Sequence, residues 1–205
     1  MRQFSTDKDR LEAFSDGVLA VIITIMVLEL RPPRLLTFQS FSQVLPNIAL
    51  YALSFVFVGI YWNNHHHMLR ASKGINGAVM WANLHLLFWL SLVPFATEWL
   101  GENPKAIGPT VFYSVILLMD ALAYTLLERA LIRVNGKSTP FANAIAIDTK
   151  GRLSIALYVL AIGAAFLSTI VSDTILVVVA AMWFVPDRRF EPLINQRDQG
   201  SASVE

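Results

Sequence analysis

Residues 10–30 read RLEAFSDGVLAVIITIMVLEL. At 100° per residue of helix, Gly17, Val21, Thr24 and Leu28 fall on one narrow stripe with Ile25 at its edge, small or apolar apart from one hydroxyl. From Ala13 to Leu30 the segment is long enough to cross a bilayer, since about 18 residues at about 1.5 Å each span roughly 27 Å. Asp16 lies just inside this span, where a carboxylate is costly unless it is paired or wetted, and it points about 100° away from the stripe. One face of the helix is therefore expected to line a pathway, while Ser15 and Asp16 anchor the other side to a neighbouring helix.

The rest of the chain fits a membrane setting. Of its 205 residues 55% are hydrophobic and 15% charged, against roughly 25% charged in ordinary soluble domains, and mean hydropathy is +0.54. The first apolar run is too long for a cleavable signal and follows an acidic start with no small-residue cleavage pattern, so this helix is expected to stay in the mature protein. Cysteine is absent, which excludes disulfides and thiolate metal sites. A net charge of +1, with no basic stripe interleaved with aromatics, gives no basis for a nucleic-acid partner.

Outward from the first helix, Arg31-Pro-Pro-Arg34 is a stop signal, and Pro46 is placed in the first turn of a second span running from Ile48 to about His65. A third span covers Trp81 to Leu100, kinked at Pro94, and a fourth covers about Thr110 to Leu127. A polar stretch from Glu128 to Gly151 carries the loop signals Asn135-Gly136 and Thr139-Pro140. The apolar region Leu153 to Val185 would run about 50 Å as one helix, so it is divided at Ser172-Asp173. The expected fold is an all-α polytopic membrane protein of six transmembrane helices, residues 1–187, with a polar tail at 188–205. With both termini cytoplasmic, only Arg31, Arg34 and Lys105 of the 16 basic residues lie outside, which satisfies the positive-inside rule. The same reading places the chain in the cell membrane.

This topology brings three polar sets to one leaflet: Arg10, Ser15 and Asp16; Trp62 to His67; and Trp81, Asn83 and His85. Asp16 is expected to accept hydrogen bonds from a histidine or from Asn83. The histidines also admit other uses, as ligands of a metal-dependent membrane enzyme or as titrating groups of a proton-coupled transporter. Adjacent imidazoles on a helix diverge by about 100°, so no tightly bound metal and no cofactor is expected. Glu29 and Glu98 are expected at the aqueous boundary, and Asp120, near mid-span, is expected to be paired inside the bundle or to be functional.

The pattern R-x-x-x-F-S-D-G followed by A-x-x-x-T, here Arg10, Phe14, Ser15, Asp16, Gly17, Ala20 and Thr24, resembles the first-helix signature of the transmembrane protein 175 family, the lysosomal potassium channels and their prokaryotic relatives. Trp62, His65 and His66 match its W-x-x-H-H, and Asn83, Leu84, Pro94, Phe95 and Thr97 its N-L and P-F-x-T. The resemblance implies a potassium-preferring cation channel, six helices per subunit, assembly as a homotetramer in the lipid bilayer, and a central pore lined by the first helices. It implies that Val21 forms the hydrophobic constriction, at a position that is usually Ile or Leu in the family, with Thr24 and a second apolar ring at Leu28 beyond it. Ile25 flanks this face, and potassium ions bind transiently near Thr24. Arg10, Phe14, Ser15, Asp16, His66 and Asn83 correspond to a structural polar latch. The sequence holds no TVGYG-type carbonyl filter, so modest selectivity is expected.

Overall fold

The computed structural model describes residues 2–33, 36–146 and 148–184, with side chains from residue 7 onward. Among the described residues every regular element is a helix: α1 (Arg2–Leu28), α2 (Phe38–Ala71), α3 (Gly77–Leu90), α4 (Val93–Glu102), α5 (Ile107–Asn135), α6 (Pro140–Ala146), α7 (Thr149–Ala165) and α8 (Thr169–Trp183). The helices α3 and α4 together form the kinked third span, with Pro94 in the first turn of α4 after the turn at Ser91. Counting that pair once and setting α6 aside, six segments correspond to the six expected spans. Four of them, Asp7–Leu28, Phe38–Ala71, Gly77–Glu102 and Ile107–Asn135, are long and apolar enough to cross a membrane. The shorter α7 and α8, of 17 and 15 residues, pack together as a hairpin.

Local chemistry sets the ends of these elements. Asn76 caps α3 by accepting from the Val79 N–H at 3.0 Å, and Asp148 caps α7 by accepting from the Gly151 N–H at 2.8 Å. Gly136 ends α5 with φ 95°, a conformation that a side chain disfavours, and donates its N–H to the Ile132 carbonyl at 2.9 Å. Pro140 then opens the short α6 inside the expected loop, where its missing N–H costs nothing.

Three expectations are corrected. The last apolar region breaks at Phe166–Ser168, where the N–H groups of Leu167 and Ser168 close on the Ala164 carbonyl at 2.9 and 2.8 Å, so Ser172 and Asp173 lie in the first turns of α8. Helix α2 starts at Phe38, with Thr37 accepting from the Ser40 N–H at 3.2 Å, which leaves Pro46 inside the helix instead of in its first turn. Asp120 is fully buried in α5, and neither carboxylate oxygen has a hydrogen-bond partner among the described residues, so the expected pairing is not made among them. The expected tail at 188–205 and the end of the 1–187 unit lie outside the described residues.

Helix α5 is the hub, packing against α3, α4, α6, α7 and α8, whereas α1 packs on α2, α3 and α4 at the rim. Lipid chains are as apolar as leucine, so packing contacts and interhelical hydrogen bonds, not water exclusion, hold such a bundle together. Several of those bonds fix the ends. Lys8 Nζ donates to the carbonyls of Arg70 and Ser72 at 3.2 and 3.1 Å, which ties the start of α1 to the end of α2. Asn135 donates to Ser72 Oγ at 2.9 Å and accepts from the Lys73 N–H at 2.7 Å, which ties α5 to the same turn. At the opposite end Arg31 lies 3.5 Å from Glu98 and 3.4 Å from Glu102.

Candidate functional site

Helix α1 has one covered face and one open face. Leu11, Ser15, Leu19, Ile22 and Met26, spaced by three or four residues, are buried against α2, α3 and α4. On the opposite side Val21 is 55% exposed, Ile25 42% and Leu28 78%, and Gly17 and Thr24 are exposed with them. Phe14, Gly17, Val21 and Ile25 border an open groove of about 800 Å³ shared with Pro94 and Phe95 of α4, while Thr24 and Leu28 lie outside it. Thr24 Oγ1 donates its hydrogen to the Val21 carbonyl at 2.8 Å, so its lone pairs are the free part of the hydroxyl. A side chain built on Gly17 would meet nothing within 4 Å in this chain.

The covered face is held by a directed chain of hydrogen bonds. Ser15 Oγ donates to the Leu11 carbonyl at 2.8 Å and accepts from Asn83 Nδ2 at 2.9 Å; Asn83 Oδ1 then lies 2.7 Å from His65 Nε2. The carbonyls of Leu11 and Asn83 only accept, so satisfying all three contacts puts the His65 hydrogen on Nε2. Ser15 and Asn83 are 0% exposed and His65 1%, so this chain runs through dry interior.

A second cluster lies beside it. The Trp62 indole N–H donates to Asp16 Oδ1 at 3.0 Å; the Trp62 ring stacks on His66 at 6.2 Å; and His66 Nδ1 meets Glu12 Oε1 at 2.7 Å. Asp16 and Glu12 are one turn apart on α1, as are Trp62 and His66 on α2, so two registers of four interlock. The partner of Asp16 is thus an indole, not the expected histidine or Asn83, because the imidazole of His65 is turned to Asn83 and that of His66 to Glu12.

Of the residues expected in the latch, the structure brings together Ser15, Asp16, His66 and Asn83. Arg10 and Phe14 are exposed on α1, Phe14 bordering the open groove, and neither belongs to the cluster within one chain. Sequence reasoning left Glu12, Trp62 and His65 out of the latch. For Glu12 and Trp62 the available signal was the matched four-residue spacing to Asp16 and His66.

The fold and site define a polytopic helical membrane protein that pins one face of its first helix with polar bonds and leaves the other uncovered. The family model of the endosomal/lysosomal potassium channel TMEM175 matches residues 10–94, from the first-helix motif to the kink in the third span. A potassium channel of Chryseobacterium sp. (strain P1-3) is 48% identical over 189 residues, which are 92% of this chain and 98% of that one. A potassium channel of Streptomyces collinus is 32% identical over 174 residues, 79% of this chain and 84% of that one. The crystal structure of a lysosomal potassium-selective channel TMEM175 homolog from Chamaesiphon minutus matches with a TM-score of 0.75 and 27% identity, covering 89% of this chain and 98% of that chain. The chain belongs to the TMEM175 family of potassium channels, and it functions as a membrane potassium channel.

Proposed function

We propose that four copies of the chain bring the open faces of their first helices to a common axis, and that potassium passes along Val21, Thr24 and Leu28. The observation that carries this is the orientation of α1. Its polar anchors are spent on α2 and α3, and its opposite stripe has no cover among the described residues. Gly17, with open space around it, is the point on that stripe where a second helix can approach most closely.

In the assembled pore the rings of Val21 and Leu28 exclude water when narrow and admit it when small rotations of α1 widen them. Ile25 flanks the constriction. The Thr24 hydroxyl, with its hydrogen held by the Val21 carbonyl, turns an oxygen outward to replace part of the hydration shell of a passing ion. The latch of Ser15, Asp16, His66 and Asn83 fixes the rotational position of α1 from behind, and Arg10 and Phe14 extend the open face toward its first turns. The channel unit is residues 1–187 in the cell membrane, with both termini cytoplasmic as the distribution of basic residues favours.

Two substitutions test this in proteoliposome flux. Thr24→Ala lowers the ratio of potassium to sodium flux, and an unchanged ratio removes Thr24 from the path. Val21→Asn raises basal leak by wetting the constriction, and an unchanged leak places the narrowest point elsewhere.

A further inference from the structure

A second groove, of about 420 Å³, lies between α3 and α5 on a part of the surface that the pore and latch do not use, lined among others by Trp81, His85, Leu126, Arg129 and Arg133. Arg129 and Arg133 are one turn apart on the same face of α5, both are exposed, and neither takes part in an ion pair among the described residues. Helix α5 has 29 residues, or about 44 Å, against about 30 Å of hydrocarbon. Its last two turns, with these arginines, therefore reach headgroup depth. Trp81, 75% exposed near the start of α3, is the aromatic residue expected at that level.

His85 adds a donor. The Trp89 indole can only donate, and it lies 3.1 Å from His85 Nε2, so that nitrogen accepts and the imidazole hydrogen sits on Nδ1. Nδ1 is buried and has no partner among the described residues. Toward mid-bilayer the face that carries the two arginines continues with the exposed Leu126 and Leu122, three and seven residues before Arg129. Two guanidinium groups thus stand over an apolar strip.

We infer that this groove binds an anionic phospholipid of the surrounding bilayer, its phosphate between Arg129 and Arg133 and an acyl chain along Leu126 and Leu122. The planar guanidinium fork suits phosphate oxygens, and basic pockets between membrane helices at headgroup depth are suited to anionic headgroups. A zwitterionic headgroup brings a cation to the same site and is disfavoured.

The test is native mass spectrometry of the purified full chain in neutral detergent, titrated with phosphatidylglycerol or with phosphatidylcholine of the same chains. Phosphatidylglycerol is expected to bind at least tenfold more tightly. The double variant Arg129→Gln, Arg133→Gln is expected to reduce that preference to within about twofold, and the corresponding double lysine variant to retain most of it. Equal binding of the two lipids, or an unchanged preference in the glutamine variant, overturns the assignment. Glycerol phosphate that displaces the lipid at comparable concentration would make this a site for a soluble phosphate and not for a lipid. A photoactivatable phosphatidylglycerol on the unaltered protein requires no variant to fold. Cross-links are expected within residues 78–85 and 122–133, and cross-links confined elsewhere, or a second copy of the chain captured there instead, contradict the proposal.

Discussion

Asn83→Ala is the substitution whose cost follows most directly from the geometry. Asn83 is 0% exposed and joins Ser15 to His65 through contacts of 2.9 and 2.7 Å. Ser15 keeps its bond to the Leu11 carbonyl, so its loss is small. His65 loses the one hydrogen-bond partner its ring has among the described residues, because Nδ1 has none there, and a stranded buried donor costs about 1–3 kcal/mol. The better helix propensity of alanine returns roughly 0.5 kcal/mol. The expected net destabilisation is about 0.5–2.5 kcal/mol, a shift of roughly 2- to 70-fold in the folded-to-unfolded ratio. It is measured by reversible unfolding in mixed micelles with increasing SDS. In a double-mutant cycle with His65→Ala the two changes should be less than additive by about 0.6–1.7 kcal/mol, the range for hydrogen bonds between membrane helices. Full additivity, or an Asn83→Ala variant as stable as the parent, would refute the buried chain as a stabilising element.

Asp120→Leu is expected to raise thermal stability, because it removes a fully buried carboxyl group whose oxygens have no partner among the described residues; a fall would reveal a partner outside them. Trp62→Phe keeps the ring over His66 but removes the N–H that Asp16 accepts, so a loss of about 1 kcal/mol is expected in the same unfolding assay, and no loss means that water serves Asp16 equally well. Glu98→Gln is expected to change stability by less than about 0.5 kcal/mol, since Arg31 is 75% exposed and such pairs are screened; a larger loss would mean that the pair is shielded in the assembly. Gly17→Ala is expected to leave the helicity of the chain unchanged and to weaken association between copies, read by the mass of the detergent-solubilised particle; unaltered association would free Gly17 of any packing role.

The open stripe of α1 was legible because a 3.6-residue period needs only the sequence of one helix. Six helical segments, the kink at Pro94 and the meeting of polar residues from α1, α2 and α3 followed from length, proline chemistry and topology. The pairings within those sets were not legible. Asp16 and Trp62 are 46 positions apart, and Ser15 and Asn83 are 68. Which donor reaches which acceptor depends on the rotation of α2 and α3, which hydropathy does not encode. The division of the last apolar region was misplaced for a different reason. Ser172-Asp173 looks like a break, yet the chain turns earlier, where the Leu167 and Ser168 N–H groups close on the Ala164 carbonyl, a turn at Phe166–Ser168 that no Gly or Pro marks. The early start of α2 was missed because Gln39, Ser40, Ser42 and Gln43 interrupt the apolar residues of its first two turns and dilute the hydropathy signal.

The most direct measurement of the central claim uses the natural absence of cysteine, which makes a single introduced thiol unique. Potassium flux through proteoliposomes of the Leu28→Cys variant is recorded before and after a cationic thiol reagent, with labelling followed by mass. Labelling is expected to abolish most of the flux. Unchanged flux through fully labelled protein would mean that ions do not travel along this edge of the first helix.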